Sequence, residues 1–327
     1  MVKRHLSDKK NILHEQPSSK ISKNESKNTA DVDLIAQLDS IFLVKHSPTL
    51  IKFWNSCSSI NPKSPTEAFD SINSLKLIGP FRFLNDLNKS TKKNKNFNYL
   101  CIDRFSTDLP EMQTFAIYQG GRFCFWRDLP DEEPIFIVNI SNDKKLSSNF
   151  PIFTIAGNED PLSAISFLTS MKKQKLNTIF EKIRKQPEMM SKLKIYQDKK
   201  FLEGLKKKRN QITLGKPLHG LGINVKVVKD VGYRPVTENT KKLRDDIIAF
   251  ATVKDEAQKA FANDEMDFGM GLEFGHDLFI SNYECFDGMA KSVLEVVYGL
   301  LNREVFTKIL QAQWENGRRS NDKALIV

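Results

Sequence analysis

The sequence predicts an α+β protein: an N-terminal antiparallel sheet with flanking helices, followed by a mainly helical C-terminal domain. Three observations carry this expectation. Several short runs rich in aromatic and β-branched residues crowd between residues 75 and 141. A pair of glycines, Gly120 and Gly121, joins two of them in a tight turn. Beyond residue 240 the apolar residues recur at helical spacing instead. At 327 residues the chain can hold two domains of ordinary size. The expected division is a basic tail at 1–30, an α/β domain at 31–175 and a helical domain at 176–327.

Taken in order, residues 1–30 are rich in Ser, Asn and Lys, and are read as disordered. LIAQLDSIF and SPTLIKFWNSC predict two short amphipathic helices, with Ser47 as cap and Pro48 in the first turn of the second. LKLIGPFRFL (75–84), NYLCIDRF (98–105), QTFAIYQ (113–119), RFCFWRD (122–128) and IFIVNIS (135–141) predict strands of a meander. A polar basic loop, NKSTKKNKN, separates the first two. Asp160 and Pro161 open a helix whose apolar side carries Ile165, Phe167 and Leu168. The lysine-rich segment 171–210 is read as helical and inter-domain. Leu243, Ile247 and Phe250 keep helical spacing, and a series from Phe286 to Ile309 predicts one long core helix. Between these lies FANDEMDFGMGLEFGHDLF (261–279). Its Gly269, Gly271 and Gly275 argue against a continuous helix, at up to about 1 kcal/mol each relative to Ala.

Composition narrows the class. A hydrophobic content of 40% with 23 Phe fits a folded core. No stretch approaches the roughly 20 apolar residues that span a membrane, and MVKRHLSDKKNILHEQ lacks the apolar core of a secretory signal. Cys57, Cys101, Cys124 and Cys285 form no CxxC pair, which argues against a zinc finger and for free thiols. The formal charge of +10 is uneven: residues 171–210 hold 14 Lys/Arg against 4 Asp/Glu, and residues 1–30 hold 7 against 3. Such blocks suit either a solvated helix face or contact with a polyanion. The KR and KK pairs near the N-terminus are a weak match to nuclear import signals.

Residues 261–279 gather five carboxylates: Asp264, Glu265, Asp267, Glu273 and Asp277. Three chemistries fit. Asp264, Asp267, Glu273 and Asp277 can surround a hard cation, although no calcium-loop spacing is present. The acids can instead be structural, with Asp277 capping the apolar run that follows. Or one carboxylate is a general base, presented to a substrate outside its own domain. Adjacent Asp264 and Glu265 point in different directions, so one can meet a substrate while the other meets a partner. A hydroxyl nucleophile needs such a base. Nothing else in the chain binds an electrophile: there is no phosphate loop, no Cys/His dyad and no GxSxG. The HGLG of LHGLGINV is too short for a nucleotide motif, and His219 and His276 read as packing residues. A base without a site of its own suits a protein that lends a residue to another protein's active site.

DVGYR (230–234), LHGLG (218–222) and NDEMDFGMGLEFGHDLF (263–279), with FWNSC, LKLIGPF and FWRDLPDEEPIFI, resemble the histone PARylation factor 1 family over roughly residues 40–315. The resemblance implies a nuclear accessory factor, acting at chromatin and DNA-damage sites, that binds the catalytic domain of a poly(ADP-ribose) polymerase. It implies a joint active site that directs ADP-ribosylation to serine on histones and on the polymerase and restrains chain elongation. The family's catalytic glutamate falls on Glu265, its neighbouring aspartate on Asp264, and its interface Tyr-Arg pair on Tyr233 and Arg234. It implies no cofactor of the chain's own, NAD being held by the polymerase. Met266, Phe268 and His276 depart from the family's usual pattern at positions with no catalytic role. Weak contact of the 171–210 lysines with DNA or poly(ADP-ribose) is compatible with this role. The alternatives are a stand-alone metal-dependent hydrolase and a nucleic-acid-binding module.

Overall fold

The structure, a computed structural model, describes residues 21–88, 98–141, 151–171, 181–227 and 268–322, with side chains from residue 30 onward. Helix α1 (Ile21–Phe42) is followed by α2 (Pro48–Ile60). Ser47 caps α2 by accepting from the Thr49 N–H, and Pro48 occupies its first turn, where its missing N–H costs nothing. A short 3-10 turn (Pro65–Glu67), β1 (Lys76–Leu77) and α3 (Pro80–Asn88) lead to the sheet proper. This comprises β2 (Met112–Tyr118), β3 (Gly121–Trp126), β4 (Phe136–Ser141) and β5 (Phe153–Gly157). The five strands pair in sequence order, all antiparallel, so the expected α+β class and meander hold.

Every residue of β3 is buried, so both faces of the sheet are covered. Side chains alternate along a strand. Phe123 and Phe125 turn toward Phe115 and the helices, with Phe81 of α3 and Phe167 of α4 (Pro161–Met171) completing the aromatic layer. Arg122, Cys124 and Trp126 turn the other way, toward Asp108, Thr114 and His276. Helices α5 (Pro187–Tyr196) and α6 (Lys199–Ile212) confirm that the described part of the lysine-rich segment is helical. The C-terminal helices are α7 (Phe268–Ser281), α8 (Asp287–Leu300) and α9 (Glu304–Glu315). They join the sheet's apolar residues in one buried cluster running from Leu38 to Leu310. Among the described residues no helix is long and apolar enough to cross a membrane. All four cysteines are free thiols, three of them buried.

Six details differ from expectation. Only Lys76–Leu77 of the 75–84 run is strand; Gly79, at φ +58°, turns the chain, and Pro80 starts α3. A Cβ at Gly79 would lie 2.2 Å from the Thr114 carbonyl oxygen. Residues 98–105 form turns rather than a strand, because the chain winds around the buried Arg104, whose guanidinium takes the carbonyls of Leu100, Leu109 and Met112. The hairpin loop is Gln119–Gly120, with Gly120 at φ +104° and Gly121 already paired to Tyr118. The apolar series 286–309 is two helices, broken where Asn302 adopts φ +55° and the Arg303 N–H returns to the Tyr298 carbonyl. Strand β5 went unpredicted. The expected helix around Leu243–Phe250 and the loop at 89–96 lie outside the described residues, as do residues 1–20 of the tail.

The glycine-broken acidic stretch yields the sixth difference, since residues 268–281 are a continuous helix. Its propensity deficit is overridden by burial, 11 of its 14 residues being buried. Gly275 shows why a glycine is needed: a Cβ there would meet Leu294 Cδ2 at 2.6 Å, so its absence lets α8 lie close. Gly275→Ala is therefore expected to destabilise by about 1–3 kcal/mol through overpacking, although alanine is the better helix former. Denaturant unfolding checks this; a variant as stable as wild type would show that Leu294 moves aside freely.

Candidate functional site

The lysine-rich helix ends in KKKRN, and its last basic residue behaves unlike the rest. Lys206, Lys207 and Lys208 are exposed, whereas Arg209 is buried. Its Nη1 donates to Asp128 Oδ2 at 2.6 Å, its Nε to the Leu221 carbonyl at 3.0 Å and its Nη2 to the Gly222 carbonyl at 3.2 Å. The guanidinium also lies over the rings of Trp126 and Phe136. The planar fork serves these acceptors from three separate nitrogens, where an ammonium has a single nitrogen. Asp128 in turn accepts from Trp126 Nε1 at 3.0 Å and from Asn224 Nδ2 at 2.9 Å. Burial pushes the Asp128 carboxyl up, but Arg209 and these donors outweigh it and hold it below its ordinary range.

These contacts fix residues 213–227, the segment that contains LHGLG. Leu214 and Ile223 pair as a bridge, and Gly220 and Gly222 both take positive φ. A Cβ at Gly222 would meet Thr213 Oγ1 at 2.7 Å, so here glycine answers to a tight turn and not to a phosphate. Helix α7 clamps the same segment from the other side. Glu273 accepts from the Lys216 N–H at 3.0 Å, and Asp277 from the Leu218 N–H at 2.6 Å. Asp277 thus lies inside a helix and accepts from a neighbouring loop, in place of the expected cap. Both acids are buried, which bears out their structural reading and removes half of the four-carboxylate metal set. Among the described residues no group of His, Cys, Asp or Glu is arranged to hold a metal ion.

Beneath α7 runs a buried polar chain. The Leu221 N–H donates to His219 Nδ1 at 3.2 Å, which leaves the His219 proton on Nε2, facing His276 Nδ1 at 3.3 Å. His276 then carries its proton on Nε2 and donates to Glu111 Oε1 at 3.1 Å. The Tyr298 hydroxyl completes the chain at 2.8 Å from Glu111 Oε2. Burial pushes the Glu111 carboxyl up; His276 and Tyr298 more than offset this and hold it below its ordinary range. Burial and the Glu111 carboxylate raise the Tyr298 hydroxyl well above its own. The two histidines are packing residues, as expected, but they also join the sheet to α7 and α8 through one hydrogen-bonded line.

Tyr233, Arg234, Asp264 and Glu265 all lie outside the described residues. The structure does define the chain on either side of them. Residues 213–227 end three residues before the DVGYR sequence begins, and α7 begins three residues after Glu265. Both flanks are bonded to each other through Glu273 and Asp277. Sequence reasoning missed Glu111, Asp128, Arg209 and Tyr298. Asp128 sits within FWRDLPDEEPIFI, and Arg209 is the one guanidinium of its basic run, a signal that a lysine-only role would not need.

Arg209→Ala leaves Asp128 as a buried, poorly paired anion and is expected to cost about 3–5 kcal/mol in an unfolding titration. Glu111 makes a pH-dependent contribution. Its folded pKa lies below the ordinary 4.5, so the unfolded state binds the proton first as pH falls. Its stabilisation is present above 4.5 and is lost as pH falls through the folded value. Glu111→Ala should lower stability at neutral pH and show a shallower acid limb than wild type. Parallel acid limbs would overturn this assignment.

Comparison with known proteins follows the same segments. A sequence profile described as Histone PARylation factor 1 matches residues 33–317. The Histone PARylation factor 1 of Bos taurus is 32% identical over 323 aligned residues, covering 90% of this chain and 89% of the relative. That of Mus musculus is 31% identical, with 86% and 87% covered, and that of Danio rerio is 28% identical, with 94% of each covered. The chain belongs to the histone PARylation factor 1 family.

Proposed function

We propose that this protein is an accessory factor that binds a DNA-damage-activated poly(ADP-ribose) polymerase, completes a joint active site and directs ADP-ribosylation to serine on histones and on the polymerase. The observation that carries this reading is the family match across residues 33–317, which includes both DVGYR and the acidic stretch. The relatives' printed name ties them to histones and to PARylation. Support comes also from the frame around the two undescribed candidate segments: a loop held by Arg209 and a helix held by Gly275 packing, bonded to one another.

In this reading the polymerase holds NAD, whose ribose gains positive charge as nicotinamide departs, and this chain has no cofactor of its own. Glu265 takes the proton from the acceptor serine hydroxyl as the new bond to the ribose forms. Asp264 meets a basic group on the polymerase. Tyr233 buries its ring in the contact, as aromatic anchors do. Arg234 pairs with a carboxylate through its two-pronged donor geometry. The acids of the stretch attract a basic histone tail. The setting is nuclear, at damaged chromatin.

Mass spectrometry of a histone peptide, incubated with activated polymerase and NAD, tests the role of Glu265. Wild type should move modification to serine; Glu265→Ala should lower that rate by about 10²–10⁴-fold, the range of a general base, while still binding the polymerase. Acceptor choice that is the same with wild type, with the variant or with neither overturns the reading. Arg234→Ala should weaken the complex without moving acceptor choice at saturation; wild-type affinity would remove Arg234 from the interface.

A further inference from the structure

A cleft among the described residues lies far in sequence from the acidic stretch. It has a volume of about 790 Å³ and opens between α2 and residues 181–192. Lys52, Arg184 and Lys185 line it. All three are exposed, and none makes an ion pair or side-chain hydrogen bond among the described residues. The cleft's acids are mostly engaged. Asp160 is buried and accepts from the Leu162 N–H, Lys192 Nζ and the Tyr196 hydroxyl. Glu188 faces Lys192 at 3.6 Å. Among the described lining residues Glu181 alone is left against three cations without a described partner. The surrounding described segment, residues 181–210, holds 11 Lys/Arg against 4 Asp/Glu.

Two further features narrow the ligand. Ser56 and Ser59 line the cleft, and their hydroxyl protons are already donated to the Lys52 and Asn55 carbonyls. Their oxygens are therefore acceptors, suited to sugar hydroxyls. Among the described residues the one aromatic lining the cleft, Phe53, is buried in the core and gives no stacking platform of the kind that holds single-stranded DNA. The volume is that of a small-ligand pocket, roughly 300–1,000 Å³, and a duplex is too broad to enter it.

We propose that this cleft binds the pyrophosphate backbone of a single ADP-ribose chain, with Lys52, Arg184 and Lys185 at the phosphates and Ser56 and Ser59 accepting from ribose hydroxyls. An ADP-ribose repeat carries a pyrophosphate and free ribose hydroxyls, whereas a DNA nucleotide has a single phosphate and lacks the 2′-hydroxyl. The choice of this polymer rests on the function proposed above. The protein would then hold the product chain through residues other than those proposed for transfer.

Fluorescence anisotropy of the full chain, without polymerase, with an end-labelled ADP-ribose oligomer tests this. The oligomer should bind more tightly than single-stranded DNA, RNA or duplex DNA of equal phosphate count. K52E/R184E/K185E should weaken binding by about tenfold or more and lower the salt slope by about two, since each single-strand phosphate contact contributes roughly 0.7. K199E/K206E/K207E, the same charge change on exposed α6 positions outside the cleft, should stay within about twofold of wild type. Equal losses from both triple variants, equal or tighter binding of any nucleic acid, or no binding of the oligomer overturns the proposal. Serine selectivity, assayed in parallel, should survive K52E/R184E/K185E. Its absence from wild type, with cleft-dependent oligomer binding intact, would sink the accessory reading and not the cleft.

Discussion

The buried Arg209–Asp128 pair is the contact on which the rest of the arrangement depends. At 2.6 Å, inside a wall of Trp126 and Phe136, it joins the end of α6 to the end of β3. A buried ion pair is weak evidence for stability, because desolvation offsets most of the attraction. Its value here is positional. Arg209 directs its remaining donors at the Leu221 and Gly222 carbonyls, and Asp128 directs an oxygen at Asn224. Arg303 takes the Asn224 carbonyl from the helical side. An apolar substitute would fill the space and remove the side-chain anchors at Leu221, Gly222 and Asn224.

The second constraint is the close approach of α7 to α8. Helix packing usually proceeds through interdigitating side chains. At Gly275 it proceeds through the absence of one, because Leu294 occupies the space a Cβ would need. That closeness brings Glu273 and Asp277 to the Lys216 and Leu218 amides and His276 to Glu111. Glycines that weaken the isolated helix therefore set the position of the loop beside it.

The sequence-level reading succeeded where local chemistry and packing agree. Ser47 with Pro48, and Asp160 with Pro161, start helices by capping, and the aromatic runs at 113–141 pair as a meander whose class was legible. It failed where a distant partner decides. Nothing near Gly275 announces Leu294, nothing near residues 98–105 announces that the chain wraps Arg104, and Asn302 breaks a helix without a glycine or proline. The buried relay was invisible for the same reason: Glu111, His219, His276 and Tyr298 are widely spaced in the chain and meet only after folding. The family resemblance was legible in short segments, and the comparisons bear it out.

The acids of residues 261–279 separate by their surroundings. Glu273 and Asp277 fall within a helix packed against its neighbours, and their carboxylates answer main-chain amides; an exposed acid there would have no such role. Asp264 and Glu265 precede that helix in sequence. A basic chain that needs an acid to act on a partner's substrate must keep it from pairing with its own many cations. In the described part of the fold, Glu273 and Asp277 are committed to backbone amides, and Asp128 and Glu111 to buried partners. Under the proposed function, those carboxylates hold the frame, and the acid that acts on the acceptor serine is Glu265.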